Sequence, residues 1–269
     1  MEGSPPGRAW DLGYWEWAPP HALRACVACV WAQVAPPAGG PATLVLPDAC
    51  ADLIWQSGRG VFLAGPDTGP APASLPAGTV LAGVRLRPGA GGPVLGLPMS
   101  AVLDQRVDLA DLGPGAAARL GRRVPGTLAP QDALRLLVDG VGALAGQRPE
   151  DRLATGVARL LARPRVQVDE VAASLGVSER QLLRRCREAV GYGPATLRRV
   201  LRFRRFVSRL DAGHSTAGHS TAGHGDAGLD LARLAAETGY ADQAHLSREC
   251  ARLAGLPPAA LAAQRQPLP

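Results

Sequence analysis

The chain has 269 residues, room for two ordinary domains or three small ones, and its 29 basic against 23 acidic residues give a formal net charge of +6. No apolar run approaches the roughly 18 to 20 residues that cross a bilayer, and MEGSPPGRAW at the N-terminus lacks a charged-then-apolar signal pattern, so the expectation is a cytoplasmic protein without a membrane partner. Five cysteines at irregular spacing (Cys26, Cys29, Cys50, Cys186, Cys250) argue against a disulfide framework.

Residues 8–113 read as mainly β. The stretches at 24–34, 42–47, 51–57, 60–65, 78–88 and 92–98 are short, rich in aliphatic and β-branched residues, and punctuated by Gly, Pro and Asp. A small β-barrel or sandwich is expected, a cupin-like barrel among its forms, and closed β domains of this kind hold one small ligand in their mouths. All five tryptophans lie here, with Tyr14. Trp31, Trp55, Asp52, Arg85 and Arg87 form the candidate effector pocket, set against the plainer reading in which the aromatics build core and the charges make turns and structural ion pairs. Cys26-x-x-Cys29, with Cys50 and His21, is the one constellation with metal-ligand character. A structural zinc site wants four well-spaced ligands, and a single CxxC pair fits small buried strand residues better, so neither metal nor cofactor is expected.

The pattern turns helical after 113. Segments 116–123, 131–145 and 149–162 have helical spacing, as in Leu134, Leu137, Val138 and Val141. The first two are expected to form a connector at 114–148, either packed within the chain or against a two-fold mate. The third opens a C-terminal domain at 149–265.

Charge separates the halves. Residues 1–146 carry 10 Arg against 11 acids, a net of −1, and residues 147–269 carry 19 Arg against 12, a net of +7. Positions 180–209 alone hold ten arginines and one acid, Glu188, a local excess suited to nucleic-acid phosphates. At its centre, VDEVAASLGVSERQLLRRCREAV (168–190) predicts a helix that Asp169 can cap, a turn at Gly176, and a second helix opened by a Ser178/Gln181 capping box. Leu182, Cys186 and Ala189 then point inward, leaving Arg180, Arg184, Arg185 and Arg187 on the surface. A second copy follows. Val171, Ala172, Ala173 and Gly176 align with Leu234, Ala235, Ala236 and Gly239, and Ser178, Leu182, Arg184 and Cys186 with Asp242, Leu246, Arg248 and Cys250. Between the copies, Pro194 can start a helix running to Leu210, about 25 Å long. Major-groove faces recur about every 34 Å, so two helix-turn-helix units joined this way suit one side of DNA.

The strings LGVSERQLLRRC, GYGPATLRRVLRFRR and LAAETGYADQAHLSREC fall in the order and spacing of the AraC/XylS-type transcriptional regulators, whose DNA-binding domain residues 150–265 resemble. PDACADLIW with GVRLRPG resembles an N-terminal β domain found before such domains. The resemblance implies double-stranded DNA as partner, a small-molecule effector or homodimerisation through the N-terminal domain, and RNA polymerase as a further contact. It places base reading at positions matching Arg180, Leu183 and Arg184, and Gln243, Ala244, Ser247 and Arg248. Arginine pairs with guanine and glutamine with adenine, whereas Leu183 and Ala244 offer apolar contact. Arg185, Arg198, Arg199 and Arg202 are expected on phosphate. The chain departs from the family's usual residues at Cys186 and Cys250, at Phe206 and at Leu197, swaps whose volumes can compensate. A repetitive tract at 211–228 replaces a short connection and is expected to be an exposed Gly/Ser-rich loop, with His214, His219 and His224 in it. An alkylation-repair protein with a cysteine-zinc site and a ligand-free DNA-bound scaffold are the alternatives. No Ser-His-Asp set, Walker A loop or HExxH motif supports an enzyme.

Overall fold

A computed structural model of the chain describes residues 10, 12–39, 43–147, 152–217 and 230–265. The N-terminal strands are β1 (Gly13–Trp17), β2 (Val27–Val34), β3 (Thr43–Val45), β4 (Ala51–Gln56), β5 (Gly60–Ala64), β6 (Ala71–Ala73) and β7 (Val80–Leu86), followed by the short helix α1 (Gly91–Leu95) and by β8 (Arg106–Asp108). Six of them form one antiparallel sheet in the order β1-β2-β7-β4-β5-β8, and β3 pairs with β6 separately. β1 and β8 are the two sheet edges, so the expected closed barrel is not formed.

Side chains alternate across this sheet. Val30, Leu53, Trp55, Leu63, Ala82, Val84 and Leu86 share one core cluster with Ala117 and Leu120 of α2 (Ala116–Arg123) and Leu134, Leu137, Val141 and Leu144 of α3 (Pro130–Gly146). The stretch expected as a connector therefore covers the apolar sheet face, and the two helices stand where a closing sheet would. Gly140 lets α2 and α3 approach, since a Cβ there would come within 2.3 Å of Leu120. The segment at 92–98, expected as a strand, instead starts with α1. Pro93 falls in the first turn, where a missing N–H costs nothing, and Gly96 ends the helix at φ 74°.

The C-terminal half contains α4 (Arg152–Leu161), α5 (Val168–Ser174), α6 (Glu179–Val190), α7 (Pro194–Ala217), α8 (Leu231–Thr238), α9 (Gln243–Ala254) and α10 (Pro258–Gln264). One buried cluster runs through all of them, taking Val157 and Leu161, Val171, Leu182 and Cys186, Leu197, Phe203 and Phe206, Leu234, Leu246 and Cys250, and Leu261. Cys186, Cys250, Phe206 and Leu197, the four departures from the family pattern, are each at most 2 % exposed. Small residues on α6 and α9 thus share one core with an aromatic on α7. α7 is longer than expected, because residues 211–217 extend it as helix. Adding residues to a formed helix avoids the nucleation cost, and DAGHSTA contains no proline. The rest of the repeat, with His219 and His224 and the side chain of His214, lies outside the described residues. Among the described residues no helix is long and apolar enough to cross a membrane.

Candidate nucleic-acid interface

Two helical pairs, α5–α6 and α8–α9, each joined by a short turn, flank α7. In the first turn Gly176 adopts φ 65° and in the second Gly239 adopts φ 88°, left-handed backbone that a glycine takes without strain. The second helix of each pair is capped by the residue at its start. Ser178 Oγ accepts from the Gln181 amide at 3.3 Å while Gln181 Oε1 accepts from the Ser178 amide at 2.8 Å, and Asp242 Oδ1 accepts from the His245 amide at 2.6 Å. Asp230 caps α8 through the Arg233 amide at 2.9 Å. For α5 the expectation changes: Gln167 is the N-cap, its amide donating to Glu170 Oε2 at 3.0 Å, and Asp169 sits inside the first turn.

Caps fix where each helix starts, and burial fixes its rotation. With Leu182, Cys186 and Ala189 inward, Arg180, Arg184 and Arg185 are exposed; with Leu246 and Cys250 inward, Gln243, Ala244 and Arg248 are exposed and Ser247 is half-buried. Leu183 is half-buried, close to Gly193, where a Cβ would come within 2.9 Å of it. Four arginines of α7 are engaged within the protein. Arg198 donates to the Val166 carbonyl at 3.1 Å and to Gln167 Oε1 at 2.5 Å. Arg199 pairs with Glu249 at 3.0 Å. Arg202 donates to the Gly239 carbonyl at 3.3 Å and lies over the Tyr240 ring. Arg205, which sequence reasoning did not single out, donates to the carbonyls of Thr238 and Ala162. These bonds tie the segment between α4 and α5 and the α8–α9 turn to the central helix.

On the other sheet face the structure brings together three of the five pocket residues. Trp31 Nε1 donates to Asp52 Oδ1 at 2.7 Å, and Arg85 Nε reaches Asp52 at 3.2 Å, Asp48 at 3.9 Å and, through Nη1, Glu16 at 3.4 Å. The Trp31 ring lies against Gly83, whose Cβ would come within 2.3 Å of it. Trp55 is on the opposite face, in the core, donating to the Pro125 carbonyl at 3.0 Å. The three-residue offset from Asp52 is odd, so strand alternation separates them. Arg87 has left the strand and donates to the Arg24 carbonyl at 2.9 Å. Tyr14, Glu16 and Cys29 were missed and belong to the cluster: Tyr14 donates to Glu16 and its ring stands 5.9 Å from that of Trp31. The alternation in GYWEW was the available signal.

Burial pushes the Asp52 carboxyl up to about 6, with Asp48 adding to the rise and Arg85 and the Trp31 N–H opposing it. Burial likewise pushes Cys29 up to about 12 and Cys50 upward, away from the thiolate that a reactive or metal-binding cysteine needs. Cys26 donates to the Leu23 carbonyl. Among the described residues no three of His, Cys, Asp or Glu are grouped to hold a metal ion.

The two halves meet at the end of α6. Ala49, at φ 67° in the turn that carries Asp48, is buried in the helical cluster together with Tyr192. Asp48 shapes that turn by accepting from the Cys50 amide at 2.8 Å. Asp48 is therefore shared between the sheet-face ion cluster and the junction.

Residues 16–108 match a family model described as Domain of unknown function (DUF6597), which covers most of the sheet. The chain is similar to the solved structure of ToxT from Vibrio cholerae O395, with 12 % identity over 89 % of this chain and 99 % of that one and a TM-score of 0.46. The same protein bound to (E)-4-(8-methylnaphthalen-1-yl)but-3-enoic acid matches at 10 % identity over 93 % and 97 %, with a TM-score of 0.40. No curated protein sequence matches the chain.

Proposed function

We propose that this protein is a sequence-specific DNA-binding transcription regulator of the AraC type, reading successive major grooves with α6 and α9. The observation that carries this reading is the pair of capped helices that share one buried core yet leave Arg180 and Arg184, and Gln243 and Arg248, exposed. Arg and Gln are the side chains whose paired donors and acceptors match guanine and adenine edges. Arg185 and Arg198 add positive charge for phosphate, with Arg199 and Arg202 contributing despite their contacts to Glu249. The N-terminal sheet carries the effector site, built on Trp31, Asp52 and Arg85, and the Asp48–Cys50 turn links it to the helical core. RNA polymerase and a second copy of the chain are further partners of this reading.

Selection of bound fragments from the source genome with the full chain tests it. Enriched fragments should share a motif with two blocks about one helical turn apart. Recovery of random fragments would count against sequence-specific reading. A metabolite screen by thermal shift on the full chain tests the effector; the scaffold alternative predicts no ligand that moves the melting temperature.

A further inference from the structure

Between the two helix-turn-helix pairs lies a cavity of about 400 Å³, lined on its polar side by Arg163, Arg165, Arg198, Arg202, Arg205 and Tyr240. None of the residues lining it is acidic. Three of the arginines come from α7, two from the segment between α4 and α5, and Tyr240 from the turn between α8 and α9. Arg198, Arg202 and Arg205 spend donors on backbone carbonyls, which satisfies hydrogen bonds without neutralising charge. Among the described residues the carboxylate paired with one of them is that of Glu249, 4.0 Å from Arg202 and engaged at 3.0 Å with Arg199.

Three independent features mark the cavity as a site. The Tyr240 hydroxyl, on a residue 3 % exposed, Arg202 Nε and, close to both, Glu249 Oε2 are buried without a hydrogen-bond partner. Leaving the two donors unsatisfied costs free energy that a ligand would recover. Arg165 is held at φ 62°, a left-handed conformation costly for a long side chain and typical of ligand clamps. Burial, and then the charge of Arg202, push the Arg205 guanidinium below its ordinary range, a like-charge crowding that an anion relieves. His245, which also lines the cavity, accepts from the Ala241 amide through Nδ1 at 3.4 Å.

We propose that this cavity is a phosphate-binding site, with the guanidinium groups of Arg163, Arg165, Arg202 and Arg205 gathered on one phosphoryl group and the Tyr240 hydroxyl donating to it. Guanidinium forks match phosphate oxygens bidentately. Two sources carry this chemistry: a DNA backbone phosphate passing between the two reading helices, or a free phosphorylated metabolite, for which a cavity of this size is adequate. The site rests on the DNA-regulator reading only for the first source.

The test uses the full chain and two probes. Inorganic pyrophosphate is titrated by calorimetry at ionic strength held constant with NaCl, and DNA binding is measured against salt on operator and random duplexes. The variants are Arg163→Gln with Arg165→Asn, since asparagine tolerates the positive φ, and separately Tyr240→Phe, which keeps the ring. Saturable pyrophosphate binding weakened at least tenfold in the double variant and severalfold in Tyr240→Phe assigns a free phosphate. Absent pyrophosphate binding, a log–log salt slope shallower by about one to two in the double variant, equally on both duplexes, assigns a DNA phosphate at about −0.9 per contact. Wild-type behaviour of both variants with both probes overturns the site. Should the wild-type chain bind pyrophosphate but no duplex, the regulator reading falls and the phosphate site stands. If wild-type DNA binding is unaltered by the variants and pyrophosphate does not bind, the reverse holds.

Discussion

Gly92 lies against the backbone of Glu188. A Cβ at position 92 would sit 2.6 Å from the Glu188 carbonyl oxygen and 3.2 Å from Ala189 Cα, so α1 meets the last turn of α6 with no side chain between them. From the other side Gly191, at φ 94°, caps α6 where a Cβ would come within 3.1 Å of the Met99 carbonyl. Two glycines thus permit the contact between the sheet unit and α6.

Gly92→Val is accordingly expected to push the halves apart. Overpacking at a close contact costs about 1 to 3 kcal/mol, and scanning calorimetry should show an earlier transition for the N-terminal unit. A melting profile identical to wild type would mean that α1 yields freely and that the contact is not tight.

Base reading is separable from phosphate contact. Arg184→Ala and Arg248→Ala are each expected to cost on the order of 1 to 3 kcal/mol on operator DNA and to relax specificity. Arg198→Ala is expected to weaken operator and random DNA alike. Because Arg198 also bonds Val166 and Gln167, its unfolding midpoint should fall, and the DNA titrations belong at a temperature where every variant is folded. Equal losses on random and operator DNA for Arg184→Ala would remove it from the base readers.

The caps have a stability signature. Ser178→Ala and Asp242→Ala each leave a helix-start amide without its acceptor, at a cost of about 1 kcal/mol, read as a shift in urea midpoint. Ser178→Asn and Asp242→Asn should restore most of it. Failure of the asparagine variants to recover would point to roles other than capping.

Asp52 sets a pH dependence. Its folded value of about 6 exceeds the ordinary 3.8, so the folded state holds the proton more tightly. The stability this provides is complete below the unfolded value and is lost as pH rises through 6. Between pH 5 and 7.5 the change from this group is about 1 kcal/mol, at 1.36 kcal/mol per pKa unit. Glu16, Asp48, Arg85, Cys29 and Tyr14 surround it, so urea titrations of wild type and Asp52→Asn at both pH values isolate the contribution. The same pH difference in both proteins would assign the effect elsewhere.

The helical half was read well from sequence because its signals are local. Ser178, Asp230 and Asp242 cap helices within three residues of themselves, and the 3.6-residue period placed Leu182, Cys186, Leu246 and Cys250 in the core. Asp169 misled because a carboxylate in the first turn and one at the N-cap look alike in sequence, and Gln167 took the cap through Glu170. In the β half the decisive facts are non-local. Strand alternation alone separates Trp55 from Asp52, but which face meets α3 depends on helices some 80 residues on, and whether β1 and β8 pair is a matter of sheet closure. Arg205 and Tyr240 were passed over for a similar reason: three segments distant in sequence build their cavity.

The shared core around Phe203 and Phe206 bears on how the proposed reading would change under substitution. The two helix pairs have no seam of their own, since one hydrophobic cluster runs through both. In the proposed DNA reading, the distance and phase between half-sites would follow from interior volume, and base preference from exposed positions. Surface replacements at Arg184 or Gln243 would give new words with the old spacing; exchanges among Cys186, Phe206 and Cys250 would alter the spacing and leave the words intact.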